Sequence, residues 1–384
     1  MAGVEGAVRH LYVHLPFCAH RCGYCDFVTA VGRADEHGSY VDALLSELRR
    51  ERLLLAEPVD SVFVGGGTPT FTEPEALRKI LAALPPASEV TVEANPETVT
   101  PELATLLREG GVNRISLGAQ SFAPRLLDVL ERVAGPDDVR RAVHTLRDAF
   151  FDNISLDLIY GIPGQEPSDL DNDLAEALAL APEHLSLYEL EAKPGTRFTH
   201  VWGDELVRQS EAMEGYFERV VETLTGAAYR WYETANFCLS GDRAAGRDLR
   251  AHHNLGYWQG RDYLGVGIGA VSTLGEQRRR NGPSIGRYVG AFAEDGAGGS
   301  PPRELEQLDP LTKAQERLML GLRLDEPLPL RGLEQALDPD GLERMVAGGL
   351  AVVHVGADLE AGPSLSLTHR GRFLGGGVTA ELLA

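Results

Sequence analysis

Short β-rich runs alternate with amphipathic stretches of helical period from residue 8 to about residue 190. The strand-like runs cover 8–16, 61–65, 90–94, 114–117, 153–159 and 184–190. Between them lie 40–55, 73–84, 101–109, 137–150 and 167–180, where the apolar spacing is that of a helix with one buried face. Cap chemistry marks several starts: Thr72 ahead of Glu73 and Pro74, Thr100 ahead of Pro101, and Pro136 with Asp137. Six such β–α units predict an α/β fold with a parallel sheet and right-handed crossovers. Periodicity alone leaves an open doubly wound sheet and a full or partial barrel as alternatives.

The position of the unusual residues separates these. Cys18 follows the first run, Gly65–Thr68 the second and Gln120 the fourth, while Glu93 and Asp157 lie within the third and fifth. In parallel β/α architectures the carboxyl ends of the strands form the rim where loops meet a ligand. One pocket fed by five strands favours a barrel-type core, most simply a partial barrel.

Further on, 204–224 predicts a helix, 229–237 an aromatic strand and 263–275 a glycine-rich segment. The stretch DGAGGSPP at 295–302 has the composition of a linker. Beyond it, 311–322, 330–337 and 341–348 read as helices, and 350–354 with 365–368 as a small hairpin. The organisation expected is a core with its extension over 1–293, a linker over 294–302, and a compact helical, winged-helix-like module over 303–384. That module carries no catalytic constellation.

A formal charge of −21 argues against a nucleic-acid partner and against docking on an anionic membrane surface. No apolar run reaches transmembrane length and the first ten residues lack a signal-peptide pattern, so a cytoplasmic protein, not an integral membrane one, is expected. Three of the four cysteines fall within eight residues, a spacing for a metal site in a reducing compartment rather than a disulfide framework.

The segment Tyr12-Val-His-Leu-Pro-Phe-Cys18-Ala-His-Arg-Cys22-Gly-Tyr-Cys25-Asp-Phe27 holds that trio. Thiolates at i, i+4 and i+7 on a loop can wrap three corners of a four-iron, four-sulfur cubane, with no fourth protein ligand within reach. The open iron can then be chelated by S-adenosylmethionine (SAM), whose sulfonium one electron cleaves to a 5′-deoxyadenosyl radical. Two plainer readings compete: a Cys3His zinc site borrowing His14 or His20, and cysteines that are merely buried. Cys238 reads as an ordinary packed thiol. The turn Gly65-Gly66-Gly67-Thr68-Pro69 lets backbone approach a ligand closely, although alone it is equally a tight strand-to-helix turn.

CxxxCxxC behind a Tyr-x-His-x-Pro-Phe strand resembles the radical SAM superfamily. Within it, residues 12–275 are similar to the branch of oxygen-independent coproporphyrinogen III oxidase and the heme chaperone HemW. The resemblance implies a [4Fe-4S] cluster on Cys18, Cys22 and Cys25. It places SAM against Tyr12, Gly66, Gly67, Thr68 and Glu93, with Gln120 and Asp157 on the ribose hydroxyls and Arg132 on the methionyl carboxylate. The chain departs from the pattern at Leu130-Glu-Arg-Val-Ala134, where relatives usually show Leu-Gly-Arg-x-His. Glu131 thus stands in place of a glycine and Ala134 in place of a histidine.

Two features bear on the branch. The oxidases carry a further cysteine two residues after the third ligand, where this chain has Phe27, as in the HemW-like branch. His253-Asn254-Leu-Gly-Tyr257-Trp258 resembles that branch's heme-binding motif, which implies His253 as an axial ligand, with His252 an alternative. Without the resemblance this segment reads as a polar loop entering an aromatic patch near the barrel mouth. The function expected is a heme chaperone passing heme to an acceptor protein, served by an electron donor. The alternatives are a radical enzyme decarboxylating coproporphyrinogen III to protoporphyrinogen IX without oxygen, and a radical enzyme on another substrate. No residue is assigned a catalytic role.

Overall fold

The computed structural model describes residues 7–193, 197–293, 299–355 and 362–384. Nine strands form one sheet: β1 (His10–Leu15), β2 (Val59–Gly66), β3 (Ala87–Ala94), β4 (Arg114–Gln120), β5 (Ile154–Tyr160), β6 (His184–Glu189), β7 (Tyr229–Glu233), β8 (Asn236–Leu239) and β9 (Leu264–Val266). Their spatial order is β9-β1-β2-β3-β4-β5-β6-β8-β7. The pairings from β9 through β6 are parallel, and β8 and β7 add antiparallel at one edge. The sheet therefore keeps two edges, β9 and β7, and is open rather than a closed barrel among the described residues.

Side chains alternate across its parallel strands, up to a bulge at Gly118/Gln120. Leu11, Val13, Leu15, Val62, Val64, Val90, Val92, Ile115, Leu117, Leu156 and Leu185 bury one face in the main core. The helices of the predicted β–α units supply that core's other layer: α1 (His37–Glu51), α2 (Pro74–Ala83), α3 (Pro101–Glu109), α4 (Pro136–Asp148) and α5 (Pro167–Ala179). The opposite face carries His10, Tyr12, His14, Ser61, Glu93, Arg114, Ser116, Asp157 and His184. A period of two with polar residues on one side gives the sheet a chemically active inner surface.

The caps differ in detail from the sequence pattern. Thr100 accepts from the Leu103 amide as expected, but α2 is capped by Glu73, which accepts from Ala76, and not by Thr72. The aromatic run at 229–237 is a hairpin, β7 turning directly into β8, so its residues face two directions. The helix at 204–224 extends to Arg197–Gly226, here α6.

The predicted helix at 330–337 is not one. A short strand, Leu328–Pro329, is followed by Gly332 at φ +82° and a single 3-10 turn, Glu334–Ala336. Its three-residue apolar spacing is met instead by turns that bury Leu330, Leu333 and Ala336 in a separate C-terminal core. The hairpin is present as Ala351–Val355 paired with Pro363–Leu367, and two further helices, His369–Phe373 and Gly375–Leu382, close the chain. Most of the linker (294–298) lies outside the described residues. The strand Arg303–Gln307 just past it pairs with Gln277–Asn281, joining a three-stranded antiparallel sheet with Val271–Leu274. No helix among the described residues is long and apolar enough to cross a membrane.

Candidate functional site

The loop after β1 carries the three cysteines at the carboxyl rim of the parallel strands. No disulfide engages them; Cys18 is buried, while Cys22 and Cys25 are half-buried. Burial pushes the Cys18 and Cys25 thiols up, and each feels the charge of its neighbours: Cys22 and Cys25 raise Cys18, and Cys22 raises Cys25. Thr68 donates to Cys18 Sγ at 3.6 Å, and Arg132 Nη1 to Cys22 Sγ at 3.6 Å. Among the described residues no group of three or more His, Cys, Asp or Glu side chains is gathered into a finished metal-binding geometry.

The histidines that a zinc site would borrow are engaged elsewhere. His14 Nε2 donates to the Val28 carbonyl at 2.8 Å, so its Nδ1 accepts from the Tyr12 hydroxyl at 3.0 Å. Burial lowers His14 to about 4, which keeps the ring neutral. His20 Nε2 donates to the Glu131 carbonyl. The donor set on the loop is thus three sulfurs with no histidine aligned to complete four, which suits a cluster with one open iron better than structural zinc.

The glycine turn is built around this loop. A Cβ on Gly67 would lie 2.5 Å from the Pro16 carbonyl oxygen and 2.8 Å from Cys18 Sγ. Gly66, at φ +120°, donates its amide to Glu93 Oε2 at 3.0 Å. Burial raises Glu93 to about 7, against that amide, which favours the charged form; the nearby Asp157 adds to the rise.

Asn95, which the sequence reading passed over, is the hub of the rim. Its Nδ2 donates to Thr68 Oγ1 at 3.2 Å and its Oδ1 accepts from Arg132 Nη2 at 3.0 Å. The Asn-Pro pair closing β3 was the available signal. Arg132 Nη2 also donates to the Gly118 carbonyl at 3.0 Å, while its Nε is buried with no partner. Gln120, at φ +64° after a bulge in β4, lies over Gly118, where an added Cβ would meet its Nε2 at 2.8 Å. Asp157 accepts from Ser116 at 2.8 Å and from Ser155 at 3.3 Å, and burial raises its carboxyl. Gly66, Gly67, Thr68, Glu93, Gln120, Arg132 and Asp157 therefore lie together at one rim beside the cysteines, while Tyr12, on the same inner face, bonds His14 and has its ring 6.4 Å from that of His253.

The His253 segment does not share that rim. It forms a short helix, α7 (His252–Trp258), whose first two amides donate to Glu89 at 3.0 and 3.1 Å. His253 is fully buried against the amino-terminal halves of β1–β3, stacked on Phe63 at 5.2 Å. Its Nδ1 bonds Ser61 Oγ at 2.9 Å and its Nε2 bonds the Tyr257 hydroxyl at 2.8 Å, and burial lowers it to about 3. Against the expected place near a barrel mouth, the segment closes the end of the inner face opposite the carboxyl rim, beside Glu89 and Ser61. His252 keeps its ring partly open to solvent, with Asp248 raising its pKa. Arg323 lies over the Trp258 ring at 4.6 Å. Cys238 is buried and raised to about 12 by that burial, as a packed thiol should be.

Comparison with known proteins bears on this rim. Residues 12–177 match the family model of the radical SAM superfamily. The heme chaperone HemW of Mycobacterium tuberculosis is 35% identical, covering 100% of this chain and 97% of its own length. That of Bacillus subtilis is 32% identical over 98% and 99%. Among solved structures, coproporphyrinogen III oxidase (HemN) from Escherichia coli superposes with a TM-score of 0.77 over 99% of this chain and 91% of its own, at 21% identity. At that identity the likeness concerns the fold.

Proposed function

The chain belongs to the HemW family of radical SAM proteins, and we propose that it binds heme as cargo and passes it to an acceptor protein. One observation carries the cofactor part of this reading: three free thiols and an unpartnered buried Arg132 Nε meet Glu93 and Asp157 at one rim. Cys18, Cys22 and Cys25 would hold a [4Fe-4S] cluster. Such a cluster, when bound, supplies single electrons from a donor protein, and SAM beside it supplies a cleavable sulfonium.

The chain's own residues bind and orient. The guanidinium of Arg132 would take the methionyl carboxylate, using the Nε that now lacks a partner. Glu93 would accept from the amino group next to the Gly66-Gly67-Thr68 turn, with Tyr12 on the same face. Asp157, held by Ser116 and Ser155, and Gln120 would accept from the ribose hydroxyls.

The heme cargo is assigned to the face bearing His253, Asn254, Tyr257 and Trp258. Ligation by His253 requires its Nε2 to release Tyr257, whereas His252 offers a more open ring. Anaerobic reconstitution followed by iron and sulfide counts tests the cluster, and four of each per chain are expected. Titration with hemin should produce a Soret band that weakens in H252A or H253A. No spectral change in the wild type would eliminate the chaperone reading, and protoporphyrin formed from coproporphyrinogen with SAM and a reductant would replace it with the oxidase.

A further inference from the structure

A single carboxylate lies in the buried stripe of α5. Leu170, Leu174 and Ala177 make that stripe apolar, and Asp173, 1% exposed, sits among them. A charge so placed is costly unless hydrogen bonds satisfy it. Asp173 accepts from the Ser121 hydroxyl at 2.9 and 3.1 Å and from the Phe122 amide. Burial raises its carboxyl to about 6 against these bonds, which favour the charged form; Asp169 adds to the rise and Arg125 opposes it. Ser121 Oγ in turn accepts from the Ala123 amide at 3.1 Å. Every one of these contacts falls on the three residues that follow Gln120.

Gln120 is where the backbone is strained. The Ser121 amide donates to the Ala119 carbonyl at 2.8 Å, and Gln120, between them, has φ +64°. That bond and that φ belong to the positive-φ γ-turn, a rare and strained form. A residue other than glycine stays in such a conformation only where its surroundings over-determine the backbone. Asp173 does so from the helix layer, tying down the two residues just past the turn. The consequence appears on the inner face. The Gln120 side chain folds back over Gly118, where an added Cβ would meet its Nε2 at 2.8 Å, and Gly118 is the strand partner of Asp157.

We infer that Asp173 is a positioning residue for the nucleoside end of SAM: from beneath the sheet it clamps Ser121 and Phe122, and so holds the Gln120 amide over Gly118 to meet the ribose. This rests on the SAM reading above. Without the clamp the strained turn relaxes and Gln120 leaves its place, a change that only a ligand bearing the ribose registers.

The test is equilibrium dialysis of the anaerobically reconstituted full chain with SAM and, separately, with methionine, which lacks the nucleoside. D173A should weaken SAM binding about tenfold and leave methionine unchanged, and D173N, which keeps one accepting oxygen, should lose about threefold. In a Q120A background the same replacements should cost less than about twofold, because the group they position is already gone. A merely structural defect would cost as much without Gln120 as with it. Should D173A fail to hold iron and sulfide, D173N and S121A carry the same comparison. Equal losses in both backgrounds, equal losses for SAM and methionine, or wild-type SAM affinity in all the clamp variants would each overturn the inference and leave the SAM reading standing. Absence of SAM binding in the wild type would overturn both.

Discussion

Replacing Glu93 by Gln removes the ionisable group whose charge the pocket resists most clearly. Burial raises its carboxyl from 4.5 to about 7, so ionising it in the folded chain costs roughly 3 kcal/mol more than in the unfolded one. Between those values the folded chain keeps a proton that the unfolded chain has released. Wild-type stability should therefore fall as pH rises from about 4.5 to about 7 and stay lowered above it. Gln preserves an oxygen that can accept from the Gly66 amide but carries no charge. E93Q should match the wild type near pH 4.5 and exceed it by up to roughly 3 kcal/mol at pH 8 in urea unfolding.

Ligand binding should show the opposite preference. If Glu93 must be ionised to take an amino group, affinity for SAM rises about tenfold from pH 6 to pH 8 as the carboxyl gives up its proton. Part of any such rise belongs to the ligand's own amino group, and E93Q isolates that part. Equilibrium dialysis of anaerobically reconstituted protein at several pH values should give a steeper profile for wild type than for E93Q. Parallel profiles would refute the assignment of Glu93 to a charged contact with the ligand.

Substituting Arg303 by Leu strands Glu47, which is fully buried, and Glu51, both now within 2.9 Å of the guanidinium; a loss of about 3–5 kcal/mol in urea unfolding is expected, and an unchanged midpoint would contradict it. Gly67→Ala forces a Cβ onto the Pro16 carbonyl and Cys18 Sγ, so iron and sulfide per chain should drop severely on reconstitution while α-helical content is retained. Tyr257→Phe removes the hydrogen bond that occupies His253 Nε2, worth about 1 kcal/mol, and should tighten hemin binding roughly fivefold if His253 is the ligand. Weaker hemin binding in that variant would place the iron on another residue.

The legible part of the fold was what sequence spacing encodes locally. Six β–α units, the cap at Thr100 and the position of the cysteines beyond β1 all follow from neighbours a few residues apart. The alternation of Leu11, Val13 and Leu15 with His10, Tyr12 and His14 was equally present, and it describes an inner polar face that no single strand makes obvious. Less legible were features set by partners distant in sequence. Asn95 becomes a hub because Thr68, in the turn after β2, and Arg132, just past the helix Pro124–Val129, both reach it, and 330–337 becomes turns because Gly332 adopts a left-handed conformation that its apolar spacing conceals.

His253 shows where the division falls within one residue. The resemblance of its motif implies a ligand whether the imidazole nitrogens are free or engaged. Ser61, nearly two hundred positions away, occupies Nδ1 through strand register, and no spacing rule anticipates that. Tyr257, four residues on, occupies Nε2 through ordinary helical geometry, and that contact was open to prediction once 252–258 was taken as helix rather than loop. The contact within reach of sequence reasoning is also one that the proposed ligation would have to break, together with the packing that leaves His253 fully buried.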